Sequence, residues 1–183
     1  VEFTPINDGE PPLDGLEAMN DPIIARYWTD VDFRQAMAHT KAIAEINPSD
    51  YSAIFFAGGH GTMWDFPDNG DVHRAIREIY ENGGIVSAVC HGPAALVNAR
   101  LSDGSLLIAD KNVASFTDDE EAEVQSTDVV PFLLASTLNA HGAHHHPAAN
   151  WHEQVIVDGR LITGQNPQSG SALGEALRDA LLG

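Results

Sequence analysis

Residues 85–96 read IVSAVCHGPAAL, and this stretch decides the fold. Ile85–Val89 is an unbroken apolar run, which is typical of a strand buried on both faces of a parallel sheet. Cys90 stands between that strand and the helical spacing of Ala94–Ala99, so we expect a sharp turn that lifts its sulfur above the carboxyl edge of the sheet. The helix N-terminus beyond the turn favours a reactive thiolate of lowered pKa. A buried cysteine that acts as a small hydrophobe is the alternative.

His91 and Gly92 follow the cysteine directly. Adjacent side chains diverge on a regular strand or helix. On a strained turn at Cys90 and His91, called the elbow below, the imidazole can instead fold back beside the sulfur as a base or an orienting partner. A histidine that only lines or caps the turn is the alternative. The backbone N–H groups of this turn, including that of Gly92, are candidate donors to an oxyanion.

The segments before the elbow predict an α/β fold. Tyr51–Phe56 (YSAIFF) is a second continuous apolar run, and we expect it to be another strand buried on both faces. Residues 71–82 carry apolar side chains at helical spacing and end before Gly83 and Gly84. The order strand–helix–strand–helix is typical of a mostly parallel sheet covered by helices on both faces.

Gly58, Gly59 and His60 follow the first of these strands in the sequence AGGHG. Because parallel strands open on the same edge of a sheet, the three residues are candidate oxyanion or substrate-binding groups facing Cys90. A plain strand-to-helix turn is the alternative. No GK[ST] follows, so the loop is not of the phosphate-binding kind.

We predict a single domain over residues 1–183, without repeats or linkers. The remaining elements follow from turn and capping signals. They are a short opening strand ended by Pro5, helices at Asp21–Trp28 and Asp30–Ala42, a hairpin of Leu106–Ile108 with Val113–Phe116, a helix at about Asp128–Ala140, a hairpin of Val155–Val157 with Arg160–Thr163, and a closing helix from Ser169.

Charge and composition exclude several classes of protein. Nine Lys and Arg residues stand against 27 Asp and Glu residues, a formal net charge of −18. That charge repels phosphates, so we expect no nucleic-acid partner and no attachment to anionic lipid, and no apolar run is long enough to span a bilayer. The single cysteine excludes an intramolecular disulfide, which favours a cytoplasmic location.

Two polar runs in the sequence predict solvent-exposed surface rather than a metal or catalytic site. His141 and the histidines at 144–146 lie between a predicted helix end at Gly142 and a proline, so we expect an exposed loop and no metal site. The acidic run Asp118–Glu121, taken by itself, predicts the solvated start of a helix.

Five motifs resemble the DJ-1/PfpI superfamily. They are FFAGGHGTMWDFPDN (55–69), AVCHGPAAL (88–96), ASFTDDEEAEV (114–124), TDVVPFLL (127–134) and VDGRLITGQNPQS (157–169). The chain is similar to the branch of stress chaperones and glutathione-independent glyoxalases, also called glyoxalase III. The resemblance implies a flavodoxin-like sandwich, as in class I glutamine amidotransferases, with Cys90 as nucleophile on an elbow and His91 beside it. It implies an orienting carboxylate at Glu121, with Glu120 as the fallback.

The resemblance also implies a function. It predicts glutathione-independent conversion of methylglyoxal or glyoxal to lactate or glycolate through a cysteine hemithioacetal, without a cofactor, in a homodimer. Three alternatives stay open. A cysteine peptidase or amidohydrolase would use the same groups, a redox sensor would oxidise the thiol without turnover, and a holdase chaperone would use an exposed apolar patch.

The sequence departs from the family at its start. Members carry a glutamate at the end of their first strand, which bonds the nucleophilic cysteine and takes part in proton transfer. This chain opens on what resembles the second strand, so we expect the first strand, its helix and that glutamate to be missing upstream of Val1. Glu2 and Glu10 do not fit the position.

Overall fold

The computed structural model describes residues 20–183, and they divide after Asn47 into two compact units. The predicted opening strand that ends at Pro5 lies outside the described residues. The single domain therefore stays a prediction.

The first unit carries two short helices, α1 (Pro22–Thr29) and α2 (Val31–Ala38). The carboxylates of Asp21 and Asp30 cap them by accepting hydrogen bonds from backbone N–H groups of the first turn. Both predicted helix starts are confirmed, but α2 ends before the predicted Ala42.

A four-stranded, mostly parallel sheet forms the centre of the second unit, as predicted. The strands of this unit are β1 (Ala53–Phe56), β2 (Ile85–Val89), β3 (Asn112–Val113), β4 (His144–His145), β5 (Val155–Asp158) and β6 (Leu161–Gly164). The main sheet has the order β1-β2-β6-β5, in which β1, β2 and β6 run parallel and β5 pairs antiparallel with β6. The carboxyl ends of β1, β2 and β6 therefore meet at one edge.

The two strands predicted to be buried on both faces differ in the structure. Every residue of β2 is buried, because β1 and β6 flank it. In β1, by contrast, Phe55 is 47% exposed and Phe56 is the buried residue. The prediction for Tyr51–Phe56 is therefore wrong in its burial and too long at its start. Among the described strands β1 has a neighbour on one side only, and an apolar run alone does not distinguish such an edge from a central strand.

The elements around the sheet include five helices and the 3-10 helix that follows Cys90. They are α3 (Thr62–Asp65), α4 (Gly70–Glu81), the 3-10 helix Gly92–Leu96, α5 (Asp118–Glu123), α6 (Leu134–Ala140) and α7 (Gly170–Leu182). Helix α4 buries Val72, Ala75, Ile76 and Ile79 on one face, which confirms the predicted amphipathic helix between the first two strands. The closing helix is also confirmed.

Two predicted elements are wrong between residues 100 and 140. Leu106 and Val113 do not form one hairpin: Leu106 makes an isolated bridge to Arg100, whereas β3 pairs in parallel with β4. The helix predicted from Asp128 begins only at Leu134, so Pro131 lies before it rather than in its first turn. Alternating apolar residues predicted strands here. The partner of β3 is β4, which lies about thirty residues further along the chain and cannot be identified from local pattern.

The histidine-rich segment is only in part the exposed loop that the sequence predicts, since His144 and His146 are exposed but His145 is partly buried. His144 and His145 form β4, and the side chain of His145 is packed against the backbone and hydroxyl of Ser115. Separately, no helix among residues 20–183 is both long enough and apolar enough to cross a membrane.

Candidate active site

Cys90 follows β2 in a left-handed backbone conformation, with φ of 61°. A non-glycine residue in this region carries strain of roughly 1–3 kcal/mol, which its surroundings must hold in place. Two backbone hydrogen bonds do so: Cys90 N–H donates to the Gly164 carbonyl at 3.0 Å, and the Cys90 carbonyl accepts from Phe116 N–H at 2.9 Å. The predicted sharp turn is therefore present, and β6 and the segment before α5 fix it from both sides.

Close backbone approach explains two of the glycines at this turn. A Cβ on Gly58 would lie 2.6 Å from Cys90 Cβ, and a Cβ on Gly92 would lie 2.3 Å from the Phe56 carbonyl oxygen. Neither place admits a side chain. The glycines thus allow the loop after β1 to press against the elbow after β2, which brings the two sheet-edge loops together as the sequence predicts.

The environment of the sulfur differs from the sequence expectation. Burial raises the pKa of the Cys90 thiol to about 11, although the backbone N–H groups of His91 and Gly59 donate to the sulfur and act in the opposite direction. The negative charges of Glu120 and Glu121 add to the increase. The elbow therefore holds a neutral thiol rather than the standing thiolate that the helix N-terminus predicted, because desolvation outweighs the two N–H donors.

His91 lies beside the sulfur, where a neutral thiol needs a base. Its Nδ1 lies 3.4 Å from Cys90 Sγ, and its Nε2 lies 2.8 Å from Glu121 Oε2. Burial lowers the pKa of His91, partly offset by the hydrogen bond to Glu121, so the ring is neutral. Since the carboxylate accepts, Nε2 carries the proton, and Nδ1 is left free to accept from the thiol.

The two adjacent carboxylates of α5 are both buried, which corrects the expectation of a solvated acidic run. Glu121 reaches His91, whereas Glu120 points elsewhere. Glu120 accepts hydrogen bonds from five donors, and they outweigh burial and lower its pKa. These donors are Thr117 N–H, the Thr117 hydroxyl, Trp151 N–H, and the side-chain amides of Gln165 and Asn166.

His60 contacts the same carboxylate from the other side. Its Nε2 lies 2.7 Å from Glu121 Oε1, and its ring centroid is 4.2 Å from that of His91. The sequence predicted an oxyanion or substrate-binding role for His60 and missed this contact. The signal was its place in the glycine loop at the same sheet edge, but nothing in the sequence shows which way the ring turns.

Two further residues shape the site without having been predicted. The Phe116 ring lies 4.3 Å from the His91 ring, between centroids. The Thr62 hydroxyl lies 2.8 Å from the Gly59 carbonyl and 3.1 Å from the His91 carbonyl, so it ties the glycine loop to the elbow.

A metal ion has one candidate set of ligands within residues 20–183. Ligand atoms of His60, His91 and Glu121 all lie within 4.8 Å of one another, whereas the histidines at 144–146 form no such group there. The two imidazoles each lie at hydrogen-bond distance from a separate oxygen of the carboxylate, so a metal would have to displace both N–H protons. The three side chains satisfy one another without an ion, and the expected absence of a metal stays a prediction.

Comparison with known proteins links this geometry to a family. The family model described as "DJ-1/PfpI family" matches residues 32–180. "Glyoxalase 3" of Candida albicans is 36% identical over 146 residues, covering 75% of this chain and 61% of that protein. "Glutathione-independent glyoxalase HSP31" of Saccharomyces cerevisiae is 37% identical over 160 residues, covering 83% of this chain and 67% of that protein.

A solved structure is similar over nearly the whole chain. The X-ray structure of the Francisella tularensis Rapid Encystment Protein 24 KDa has a TM-score of 0.93 and 39% identity, and the match covers 98% of this chain and 80% of that one. The chain thus spans about two thirds of the length of the curated relatives and a larger share of this structural neighbour.

Proposed function

The chain belongs to the DJ-1/PfpI family, and on that premise we propose that it is a glutathione-independent glyoxalase. It would convert methylglyoxal to lactate and glyoxal to glycolate. The observation that carries the proposal is the line of contacts from Cys90 Sγ through His91 to Glu121, at 3.4 Å and 2.8 Å. Two similar proteins whose names state a glyoxalase activity give the substrate class its support.

The first step would be attack of the Cys90 sulfur on the aldehyde carbon. As the carbon–sulfur bond forms, the thiol proton passes to His91 Nδ1, and the charged imidazole is stabilised by Glu121. A thiol with a pKa of about 11 requires this transfer at the moment of attack. The carbonyl oxygen becomes an oxyanion, for which the N–H groups of Gly59 and His91 are the candidate donors, and on protonation it gives a hemithioacetal.

The later steps would need no oxidant. A proton leaves the former aldehyde carbon, an enediol-like intermediate forms, and a proton is returned to the neighbouring carbon. The product of this shift is a thioester of Cys90 with the 2-hydroxy acid. Water then cleaves the thioester, which releases the acid and restores the thiol. The net reaction is addition of one water, and His91 is the base that the described residues offer beside the sulfur.

A direct assay tests the proposal. The protein is incubated with methylglyoxal in the absence of glutathione, and lactate is measured; a panel of peptides and amides is run beside it. We expect lactate and no hydrolysis of the panel. Cleavage of peptides or amides without lactate would instead establish the peptidase or amidohydrolase alternative, which uses the same thiol and base.

The oligomeric state and location complete the proposal. A homodimer follows from the resemblance to the family, and light scattering of the purified chain tests it. A cytoplasmic location is supported by the single cysteine, and fractionation of expressing cells tests that. The redox-sensor alternative is disfavoured by the raised pKa of Cys90, because oxidation by peroxide proceeds through the thiolate.

A further inference from the structure

Glu121 has two imidazole donors among residues 20–183, and the proposed chemistry uses one of them. Oε2 faces His91 at 2.8 Å, whereas Oε1 faces His60 at 2.7 Å. The side chains of Glu121 and His91 are 3% and 2% exposed, but that of His60 is 43% exposed. His60 therefore stands at the mouth of the site and reaches inward to the carboxylate with its ring.

The backbone holds His60 firmly in this place. Its carbonyl accepts from Met63 N–H at 3.0 Å in the turn that begins α3. The neighbouring Gly59 carbonyl accepts from Thr62 N–H and lies against the Thr62 hydroxyl, which also contacts the carbonyl of His91. The loop that carries His60 is thus tied to the elbow that carries the thiol.

We propose that His60 is a positioning residue for the proposed glyoxalase reaction: by donating its Nε2–H to Oε1, it turns Oε2 of Glu121 towards His91. His91 is thereby held in the tautomer whose Nδ1 accepts from the Cys90 thiol. His60 acts through Glu121 and is distinct from the backbone donors at the sulfur. The expected effect of His60 on turnover rests on the proposed function, whereas its expected effect on the His91 tautomer does not.

The physical reason lies in what the carboxylate would do without this donor. A glutamate side chain has three rotatable bonds, and Glu121 receives hydrogen bonds from these two rings among the described residues. Without His60, Oε1 would be a buried anionic oxygen without a partner, which is unfavourable. The carboxylate would rotate towards another donor or towards water, and this change would weaken its hold on His91 Nε2–H.

Two substitutions of His60 test whether its hydrogen bond to Glu121, rather than the size or polarity of its side chain, is what matters. In His60→Gln, the amide nitrogen lies as many bonds from Cβ as imidazole Nε2 does, so it can still donate to Oε1. In His60→Asn, the amide is one bond shorter and the donor is lost, although the residue stays polar. Each variant and the parent are measured with a chelator present, so that bound metal ions do not contribute, and the parent is also measured without chelator.

Two measurements are made on each protein. The first is kcat and KM with methylglyoxal. The second is the nitrogen-15 chemical shifts of the His91 ring, assigned by their loss in His91→Gln. For His60→Asn we expect kcat to fall about 10- to 100-fold with KM changed by less than about threefold, and His91 to become a mixture of tautomers. For His60→Gln we expect kcat within about threefold of the parent and a single tautomer with the proton on Nε2.

Each contrary outcome identifies its own cause. If His60→Asn keeps the single His91 tautomer, the positioning role is wrong, whatever happens to kcat. If His60→Gln loses the tautomer as completely as His60→Asn does, donation to Oε1 is not what matters. If the parent ring is metal-bound and changes on chelation, the three side chains are ligands instead. If no variant turns over methylglyoxal, the proposed function fails while the tautomer measurement still decides the role of His60.

Discussion

The elbow around His91 holds a buried imidazole and the histidine-rich segment around His145 holds a partly buried one, and the two rings have different partners. His91 Nε2 faces the Glu121 carboxylate, so it carries the proton. His145 Nε2 lies 3.1 Å from the Ser115 backbone nitrogen and 3.3 Å from the Ser115 carbonyl oxygen, so it faces neutral groups and no carboxylate at that atom. Burial lowers the pKa of both rings, so both are neutral. The partner at Nε2, rather than the number of histidines nearby, decides which ring can act as a base.

The second nitrogen completes the comparison. His91 Nδ1 is left as an acceptor and faces the thiol of Cys90. The contacts of the His145 ring are instead with the backbone and hydroxyl of Ser115, which are neutral groups. The neighbouring His146 contacts the Asn112 side-chain oxygen at 2.7 Å, again a neutral group. A carboxylate on one side and a thiol on the other distinguish the elbow.

The largest effect we predict comes from removing the proposed nucleophile at the elbow. Cys90→Ser should lower turnover of methylglyoxal by at least about 1000-fold with an unchanged melting temperature, because a hydroxyl is a far weaker nucleophile. Lactate formation and thermal unfolding are measured on the same preparation. Turnover within about tenfold of the parent, or 1.4 kcal/mol in the barrier, would mean that Cys90 is not the covalent residue.

The next prediction separates the two carboxylates of α5. Glu121→Gln should lower kcat by about 100- to 10,000-fold at nearly unchanged stability, since an amide offers His91 no fixed anionic acceptor. Glu120→Gln serves as the matched control. It should lose roughly 2–4 kcal/mol of unfolding free energy, because five donors then face an amide, but keep its turnover per folded molecule.

One result would contradict the assignment of the orienting carboxylate to Glu121. If Glu120→Gln loses kcat at an unchanged melting temperature while Glu121→Gln does not, the orienting carboxylate has been assigned to the wrong residue.

A smaller effect, on stability, tests how tightly the elbow is packed. Gly92→Ala should reduce the free energy of unfolding by about 1–3 kcal/mol, since the added Cβ would lie 2.3 Å from the Phe56 carbonyl oxygen. Gly70→Ala, at the start of α4 with nothing near its Cβ position, should change it by less than about 0.5 kcal/mol. Denaturant unfolding of both variants checks this, and equal values would contradict the close approach.

The smallest effect on turnover concerns the histidine-rich segment. Replacing the histidines at 144–146 by alanine should leave turnover per folded molecule unchanged, with or without chelator, since these rings contact neutral groups. Some stability is lost with the His145 contact to Ser115. If the parent is inhibited by a chelator and the triple variant is not, a metal site in this segment would replace our account of it.

Local pattern was enough for the elements that hold the elbow. The apolar run Ile85–Val89, the helix ending near Glu81 and the hairpin around Asp158-Gly159 were all predicted from the sequence, because each is specified by neighbours in the chain. The hairpin predicted around residues 106–116 does not form, since β3 pairs instead with β4 about thirty residues later. The exposure of Phe55 likewise depends on which strands flank β1.

The site was predictable in its residues but not in its electrostatics. Cys90, His91 and Glu121 were predicted as site residues from their residue types and from the resemblance to the family. The structure places them in a line of contacts. The thiol pKa could not be read from the sequence, because it depends on how far desolvation exceeds the N–H donors. The contact of His60 with Glu121 depends on a side-chain rotamer, which spacing does not determine.

The most direct test of this account is the pH dependence of iodoacetamide labelling at Cys90, the single cysteine of the chain. We propose that the resting thiol of Cys90 is neutral and that His91 takes its proton only during attack. We therefore expect the rate of labelling to keep rising with pH towards a midpoint near 11. A midpoint below the ordinary thiol value of about 8.5 would contradict it, since the elbow would then hold a standing thiolate without the help of His91.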